Sequence, residues 1–456
     1  MNNPVVTRIA PSPTGQMHIG TLRTALFNYL FAKQHGGTFF ARIEDTDKER
    51  SQSQWTEAVW EDFTWCGIIP DKKYIQSEHE ERHTKLLQEL VLQDKAYISK
   101  ERAKDGSERE VEVVRLRNSG KKITFTDLIR GEVTFDTEEL GDFVIARSID
   151  DPLYHFAVVV DDEDAKVTHI FRGEDHISNT PRQILIQEAL GFSRPEYGHI
   201  PLILAPDRSK LSKRKHGASI ENYRKQGYLP EAMINYLALL GWNPGTEEEI
   251  FSFSELVKRF SLLQIQKSGA IFDEMKLRWM NREYLKQMPI EERERYLLHF
   301  LPPSVKELPQ YSEERFLRAL PDLFERIHVG EDLKRMFEKG ELDYLFSSPE
   351  YEKELLPNPQ SKKEDGIQVQ TRGYLEDLLS LVGEFSEHLS PEKIKEKIMF
   401  YAEERGGEKG RGKMLWPLRF SLSGKEKSSD PFILIHILGK EETKKRIEKA
   451  ISLLFD

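Results

Sequence analysis

The sequence predicts a mixed α/β protein, in which a doubly wound parallel-sheet domain with an inserted α/β segment precedes domains made of helices. Three observations carry this prediction. A strand at Val5–Ala10, a helix at Thr21–His35 and a strand at Thr38–Ile43 form a βαβ unit near the start. Residues 123–149 alternate between apolar and polar positions, as antiparallel strands do. From Glu221 onward, the apolar residues follow helical spacing.

Size and composition restrict the class of protein. The 456 residues leave room for about three domains, and the net charge of −10 argues against a protein that coats nucleic acid without specificity. The segment 208–216 is nevertheless locally basic. The single cysteine, Cys66, excludes an internal disulfide and a cysteine-rich zinc site. Because neither a membrane-length apolar run nor a secretory leader is visible, we expect a cytoplasmic protein that contacts no membrane.

Turn-forming and helix-ending residues separate the elements of the first βαβ unit. The strand Val5–Ala10 is followed at once by the turn-forming run Pro11–Gly15. The helix Thr21–His35 stops at Gly36-Gly37, because glycine readily adopts the left-handed conformation that ends a helix. Parallel strands joined by a helix place a ligand crevice beyond their carboxyl ends. We therefore expect functional residues just after Val5–Ala10 and Thr38–Ile43.

The next helix is predicted to begin at Ser77, which has capping-box spacing to Glu80. Its sequence His79-Glu80-Glu81-Arg82-His83 also fits the H-E-x-x-H pattern of zinc metalloproteases. Both histidines continue an apolar stripe, and no recognisable motif marks a third ligand. We therefore interpret His79 and His83 as the edge of a packed face.

Further elements are predicted in the middle of the chain. The apolar runs Tyr154–Val160 and Val167–Phe171 are interpreted as strands, with Asp161-Asp162 in the turn between them. Thr180 followed by Pro181 has the pattern of an N-cap and first turn. The helix that they open is expected to end at Gly191.

Two motifs indicate nucleotide chemistry. His18 to Thr21 lie at the start of the first helix, where backbone N–H groups and the helix dipole favour phosphate and Gly20 permits close approach. Lys210 and Lys213 lie three residues apart in a hydrophilic loop and could clamp the charge that develops in nucleotidyl transfer. Taken singly, His18 could be a helix cap and the lysines a solvated loop. Together they predict one nucleotide site.

The sequence resembles the class I aminoacyl-tRNA synthetases. PSPTGQMHIG is similar to their HIGH signature and KLSKR to their KMSKS signature. The longer matches are similar to the bacterial glutamyl-tRNA synthetases in particular: RIAPSPTG, RIEDTDKERS, FRGEDHISNTPRQ, LSKRKHGA and LWPLRFSLSGKE. The resemblance covers essentially the whole chain and implies a Rossmann-like catalytic domain.

The resemblance implies a glutamate–tRNA ligase. Such an enzyme activates L-glutamate with ATP to glutamyl-adenylate and transfers it to the 3′ end of tRNA(Glu), with tRNA(Gln) as a possible second acceptor. The implied partners are tRNA(Glu), L-glutamate and ATP with Mg²⁺, and the implied state is a monomer. A glutaminyl enzyme would carry a PEPNG-like turn and no arginine at position 172. A queuosine-modifying relative would lack residues 300–456, and a catalytically silent tRNA-binding paralogue is a further alternative.

The resemblance also implies roles for individual residues. The side-chain carboxylate of glutamate is assigned to Arg8, Tyr154 and Arg172, and its amino group to Ser12 and Glu44. The nucleotide is assigned to His18, Gly20, Asp175, Ser212 and Lys213, and catalysis to His18, Lys210 and Lys213. Other interpretations are an ion pair of Arg8 with Glu44, and Asp175 as a helix N-terminal acid.

Two departures from the family pattern concern the metal and the substrate. Tyr97–Lys100 stand where some members carry zinc-binding cysteines, so no structural zinc is expected. Val158 replaces a polar side chain that some relatives place beside the α-carboxylate.

Proline- and glycine-rich breaks combine with the resemblance to predict domains. The Rossmann-like catalytic domain takes residues 1–75 and 140–220, and 76–139 form an inserted tRNA acceptor-binding domain. Residues 221–300 form a helical stem-contact domain, and 301–456 form a helical anticodon-binding domain.

Overall fold

The computed structural model describes residues 4–46, 51–102, 109–212, 217–361, 363–386 and 389–455. The chain forms two compact units, Met1–Tyr284 and Leu285–Asp456. Every strand that the described residues form lies in the first unit, and the second unit is helical. The α/β fold class with a helical second half is thereby confirmed. The boundary between the units falls inside the predicted segment 221–300, and the finer division into domains stays a prediction.

The first sheet confirms the βαβ unit. Its elements are β1 (Val6–Ile9), α1 (Ile19–Gln34), β2 (Thr38–Ile43), α2 (Ser53–Trp65) and β3 (Lys72–Ile75). Strand β2 pairs in parallel with both β1 and β3. Helix α1 ends as expected, because Gly36 follows its C-cap with φ of +63°. Gly37 is required by close packing, since a Cβ there would lie 2.2 Å from the backbone oxygen of Val5.

One helix and six strands follow: α3 (Glu80–Leu92), β4 (Ala96–Arg102), β5 (Glu110–Leu116), β6 (Lys122–Asp127), β7 (Gly131–Asp136), β8 (Phe143–Ser148) and β9 (Asp151–Pro152). Strands β4, β5, β8 and β9 form an antiparallel sheet, and β6 with β7 forms a hairpin. The antiparallel strands predicted for residues 123–149 are thus confirmed. The predicted helix start is wrong, because Gln76–His79 form a 3₁₀ turn and the Ser77 hydroxyl donates to Asp45 instead of capping α3.

The core continues with α4 (Tyr154–Asp164), β10 (His169–Gly173), α5 (Thr180–Leu190), β11 (Glu196–Ile200) and β12 (Ile203–Leu204). Strands β10 and β11 are parallel, and Thr168 donates its N–H to the carbonyl of Val6 at 3.0 Å, so β10 starts beside β1. Strand β6 pairs in parallel with the other edge of β11. The β6–β7 hairpin therefore extends this sheet.

The predicted strand Tyr154–Val160 is wrong, because the segment is the helix α4. Its side chains from Phe156 through Asp162 are all buried. A continuous apolar run that is covered on all sides has the same sequence pattern in a strand and in a helix. Asp161 and Asp162 accordingly lie in the last turns of α4 rather than in a turn between strands.

Helix α5 shows a smaller correction. Thr180 is its first residue rather than its N-cap, which is Asn179. Pro181 in the first turn and the left-handed Gly191 at the C-cap (φ 72°) are as predicted. The first unit closes with α6 (Ile220–Gln226), α7 (Pro230–Leu239), α8 (Phe253–Arg259), β13 (Ala270–Ile271) and the start of α9 (Glu274–Gln287).

The second unit consists of packed helices: α10 (Ile290–Phe300), α11 (Pro303–Lys306), α12 (Glu313–Phe324), α13 (Gly330–Glu338), α14 (Ile367–Gly383), α15 (Pro391–Ser423), α16 (Pro431–Leu438) and α17 (Lys440–Leu453). A buried arginine joins α17 to α15 and to the segment between α13 and α14. Arg446 of α17 donates to the carbonyl oxygens of Tyr344 (2.8 Å), Leu422 (2.6 Å) and Ser347 (3.0 Å). Arg446 is thus a shared hydrogen-bond donor for three backbone carbonyl oxygens.

Arg446→Met is therefore expected to lower the free energy of unfolding by about 2–3 kcal/mol, because buried carbonyls lose their donor. Chemical denaturation followed by far-UV circular dichroism measures the effect. Lys445→Met, at the neighbouring exposed position, is the control and should leave the transition in place. Equal midpoints for the two variants would contradict the joining role of Arg446.

Candidate active site

A cleft of about 420 Å³ opens at the carboxyl ends of β1 and β10. Its lining includes all the predicted site residues that the structure describes: Arg8, Ser12, His18, Gly20, Glu44, Tyr154, Arg172, Asp175, Lys210 and Ser212. Lys213 lies outside the described residues. Residues that are distant in sequence converge because the carboxyl ends of neighbouring parallel strands meet at one edge of the sheet.

One part of the cleft is formed by the start of α1. His18 is the N-cap, and its Nδ1 accepts the N–H of Gly20 at 2.9 Å. Since Nδ1 accepts, the neutral imidazole carries its proton on Nε2 and can donate from that atom. A Cβ at Gly20 would lie 3.0 Å from His18 Nδ1, so glycine keeps this turn open. Both features suit the binding of an anion at a helix N-terminus.

The two sequence motifs are joined through the backbone. Ile19 donates its N–H to the carbonyl of Ala218 at 3.2 Å, and Ile220 donates to the carbonyl of Met17 at 3.0 Å. His18 and Ser219 form the β-bridge between these two bonds. The segment directly after the lysine motif is thus tied to the start of α1.

Lys210 supplies positive charge to the same part of the cleft. Its Nζ lies 2.7 Å from Asp175 Oδ2, in a partly exposed pair. Burial opposes the charge on Asp175, but the hydrogen bond from Lys210 prevails and lowers the pKa of this carboxyl. Asp175 also stands in the first turn of the 3₁₀ helix Glu174–Asn179, so the interpretation as a helix N-terminal acid holds alongside its contact with Lys210.

The other part of the cleft is a buried charge cluster. Arg8 donates through Nε and Nη2 to the carboxylate of Asp162 at 3.2–3.4 Å. The ion pair of Arg8 with Glu44 that we considered is therefore wrong, because Glu44 instead accepts from Arg42 Nη2 at 3.2 Å. Topology explains the difference, since α4 brings Asp162 between the two arginines.

Arg42 is fully buried at the centre of this cluster. Its Nη1 donates to Asp162 at 2.6 Å, and its Nε lies 3.7 Å from Asp161. Burial alone would lower the pKa of Arg42, but Asp162, Glu44 and Asp161 outweigh it and raise this pKa. Burial raises the pKa of Glu44, while the same interactions with Arg8 and Arg42 lower that of Asp162 against its own burial. Sequence reasoning missed Arg42, although it lies in the quoted segment RIEDTDKERS.

Arg172, unlike Arg8 and Arg42, has only uncharged groups as its hydrogen-bond acceptors among the described residues. Its guanidinium donates to His199 Nε2 (3.2 Å), Gln183 Oε1 (2.8 Å) and Thr180 Oγ1 (2.8 Å). Within the described residues, each of these hydrogen bonds ends on a group without negative charge. Burial accordingly lowers the pKa of Arg172. A buried cation held by neutral groups at a cleft is suited to an anionic ligand, because the ligand supplies the missing counter-charge.

Two neutral polar groups border Arg172. The Tyr154 hydroxyl lies 3.5 Å from His176 Nδ1, and both residues line the cleft. Burial raises the pKa of Tyr154 and lowers that of His176 to about 4, so both are uncharged near neutral pH. Sequence reasoning missed His176, although it directly follows Asp175 in the quoted segment FRGEDHISNTPRQ.

The two histidines of the H-E-x-x-H pattern contact other side chains of the first unit. His83 Nε2 lies 2.7 Å from Asp161 Oδ1, and the ring of His79 stacks on Tyr74. Across the part of the chain that the structure describes, no group of three or more His, Cys, Asp or Glu side chains is placed to hold a metal ion.

The two positions that depart from the family pattern lie in regular structure: Tyr97–Lys100 belong to β4, and Val158 is buried in α4. No helix among the described residues is both long and apolar enough to span a membrane.

Comparison with known proteins gives consistent matches. The catalytic domain of class I tRNA synthetases (E and Q) matches residues 4–105 and 98–279, and an anticodon binding domain matches residues 275–451. The chain is 38% identical to a glutamate–tRNA ligase of Carboxydothermus hydrogenoformans, with 97% of this chain and 99% of the relative covered. It is also 38% identical to a glutamate–tRNA ligase of Aquifex aeolicus, with 99% of both covered.

A solved structure is similar over the full length. It is a glutamate tRNA ligase from Elizabethkingia meningosepticum in complex with its amino acid, with a TM-score of 0.84, 32% identity and 99% of both chains covered. A glutamate–tRNA synthetase from Elizabethkingia anophelis gives a TM-score of 0.83 at 31% identity, with 99% of this chain and 100% of that chain covered.

Proposed function

The chain belongs to the class I tRNA synthetases of the glutamate and glutamine group, and on this basis we propose that it is a glutamate–tRNA ligase. It uses ATP to activate L-glutamate and transfers the glutamyl group to the 3′ end of tRNA(Glu). The observation that carries the choice of glutamate is Arg172, a buried cation with neutral partners in the cleft. Glutamine has no charge to neutralise this group, whereas the side-chain carboxylate of glutamate does.

The proposed binding mode follows the two parts of the cleft. Arg172, Arg8 and the Tyr154 hydroxyl receive the side-chain carboxylate, while Glu44 and Ser12 face the amino group. The phosphates of ATP lie at the start of α1, against His18 and Gly20. Asp175 and Ser212 contact the nucleotide, and Lys210 turns from Asp175 to the pyrophosphate when ATP binds. Mg²⁺ enters with ATP as part of the substrate.

The first step is an in-line displacement. An oxygen of the glutamate α-carboxylate attacks the α-phosphorus of ATP, the new P–O bond forms, and pyrophosphate leaves with the electrons of the broken bond. The chain contributes positioning and charge stabilisation: the positive end of the α1 dipole, the Nε2–H of His18 and the two lysines. In the second step, a hydroxyl of the terminal adenosine of the tRNA attacks the carbonyl carbon, and AMP leaves.

Successive segments of the chain contact different parts of the tRNA. Residues 76–139 bind the acceptor end of the tRNA, 221–300 contact its stem, and 301–456 read the anticodon, as the matched anticodon binding domain suggests. The enzyme acts in the cytoplasm as a monomer.

The direct test is aminoacylation with labelled glutamate, with glutamine assayed in parallel, on purified tRNA(Glu) and tRNA(Gln) and with ATP. Charging of tRNA(Glu) alone supports a discriminating enzyme, and charging of both tRNAs supports a non-discriminating one. Absence of charging with fully modified native tRNA as well would overturn the proposal and favour a catalytically silent paralogue.

Lys213→Ala is expected to lower the rate of adenylate formation by about 10²-fold, the scale for losing one preorganised charge contact with the reacting phosphate. Glutamate-dependent pyrophosphate exchange in the presence of tRNA measures this step. Lys225→Ala is the control, because Lys225 is an exposed residue of α6 paired with Glu221. If both variants exchange pyrophosphate at the wild-type rate, Lys213 has no catalytic role.

A further inference from the structure

A chain of three buried side chains leads from Arg172 away from the cleft. Arg172 Nε donates to His199 Nε2 at 3.2 Å, and His199 Nδ1 lies 2.6 Å from Asp127 Oδ2. His199 and Asp127 are 0% and 2% exposed, so water does not compete for these contacts. Neither residue lines the cleft, and the proposed reaction assigns them no role.

The carboxylate of Asp127 is fixed by the turn that it starts. Its Oδ1 accepts the N–H groups of Ile129 (2.9 Å) and Arg130 (2.8 Å) in the hairpin between β6 and β7. Its Oδ2 accepts the N–H of His199 at 3.1 Å in addition to Nδ1. Burial alone would raise the pKa of Asp127, but these donors outweigh it and lower the pKa, so the group is ionised.

The ionised carboxylate decides the tautomer of His199. Burial lowers the pKa of His199, against the opposing effect of Asp127, so its ring is neutral. An anionic acceptor at Nδ1 places the single proton on Nδ1 and leaves a lone pair on Nε2. That lone pair accepts the Nε–H of Arg172 at 3.2 Å, and the Thr180 hydroxyl lies at the same distance from Nε2. The opposite tautomer would set an Nε2–H against the Nε–H of Arg172.

We propose that Asp127 and His199 are positioning residues for glutamate recognition: Asp127 fixes the Nδ1–H tautomer of His199, and His199 Nε2 then holds the guanidinium of Arg172 in place for the side-chain carboxylate. The inference rests on the proposed function. It makes the β6–β7 hairpin, which belongs to the inserted segment, part of amino-acid selection as well as of the fold.

Asp127→Asn is the sharpest test, because it changes one atom and keeps the turn. The amide oxygen of asparagine can retain the bonds to Ile129 and Arg130 and can accept the backbone N–H of His199, which already lies 3.3 Å from Oδ1. The amide nitrogen takes the place of Oδ2 and donates to His199 Nδ1. The proton then moves to Nε2 and opposes Arg172. The expected result is a KM for glutamate at least about tenfold higher, with the KM for ATP and kcat little changed.

Two substitutions at His199 separate positioning from packing. Gln places its amide oxygen near the position of Nε2 and can still accept from Arg172, whereas Asn replaces only Nδ1 and loses that acceptor. We expect His199→Gln to keep a KM for glutamate close to wild type and His199→Asn to raise it about as much as Asp127→Asn. General loosening of the core would not produce this order.

Asp142→Asn is the matched control, since Asp142 directly precedes β8 and, like Asp127, accepts a backbone N–H, that of Asn118 at 2.7 Å. Its KM for glutamate should stay at the wild-type value. A wild-type KM for glutamate in Asp127→Asn and His199→Asn overturns the inference, as does a parallel rise in the KM for ATP. If the wild-type chain itself fails to charge tRNA with glutamate, the proposed function fails, and this is seen before any variant is assayed.

Discussion

Arg172→Gln is expected to reduce kcat/KM for glutamate by about 10³-fold. The substitution removes a buried cation of the cleft whose side-chain hydrogen bonds all end on uncharged groups. The bound carboxylate of glutamate would then be desolvated without its counter-charge, and breaking a buried ion pair in this way costs about 3–5 kcal/mol. Each 1.4 kcal/mol corresponds to a factor of ten, which gives the expected loss. Steady-state aminoacylation at varied glutamate concentration measures it.

Three further readouts make this prediction specific. The KM for ATP should stay near wild type, because the phosphates are proposed to bind at the start of α1. The preference for glutamate over glutamine should fall, since a neutral side chain no longer favours the charged substrate. The free variant should be at least as stable as wild type, because burial opposes the charge on Arg172 and lowers its pKa.

Arg182→Gln is the control for this experiment. Arg182 lies in α5, does not line the cleft, and donates to the carbonyl of Ser178 at 3.2 Å. It should leave glutamate kinetics unchanged. If Arg172→Gln also retains wild-type kcat/KM and selectivity, recognition of the side-chain carboxylate is assigned to the wrong arginine.

The parts of this site that could be predicted are those governed by local pattern and simple topology. The βαβ unit follows from helical spacing between two short strands, and the start of α1 follows from the turn and Gly20. Once parallel strands are expected, Arg8 and Arg172 must come near each other, because each stands near the carboxyl end of its strand. The resemblance to a known family then supplied the roles that pattern alone could not.

The partners of these residues could not be predicted, because tertiary packing selects them. Arg8 and Asp162 are 154 positions apart, and Asp127 and His199 are 72 apart. The wrong strand prediction at Tyr154–Val160 has the same origin. Because the core covers this helix on all sides, its apolar run shows no alternation between a polar and an apolar helix face. With α4 taken as a strand, Asp162 could not be placed between Arg8 and Arg42.

Arg42→Met is expected to lower the free energy of unfolding by about 3–5 kcal/mol at neutral pH. Arg42 is fully buried and neutralises Asp162, Glu44 and Asp161 together. Methionine fills a comparable volume, so the cost is chiefly electrostatic: Asp162 and Glu44 keep only Arg8 as a nearby cation among their described partners, and Asp161 loses Arg42. Chemical denaturation at about pH 7 measures the difference from wild type. Arg117→Met is the control, because its pair with Asp94 is exposed and should contribute little.

The pH dependence of this penalty distinguishes charge from packing. In the wild type the pKa of Asp162 is lowered from its ordinary 3.8, so its stabilisation is present above that value and is lost as the pH falls through the folded-state pKa. In the variant, the burial of Asp162 and Glu44 is no longer opposed by Arg42, so the pKa of both carboxyls is higher than in the wild type. The variant therefore gains relative stability on acidification, as these two groups become protonated. The difference in unfolding free energy should therefore be largest near pH 7 and shrink at about pH 5. A penalty that is constant over this range would mean that Arg42 acts by filling space, and the cluster would then contribute shape rather than charge to the site.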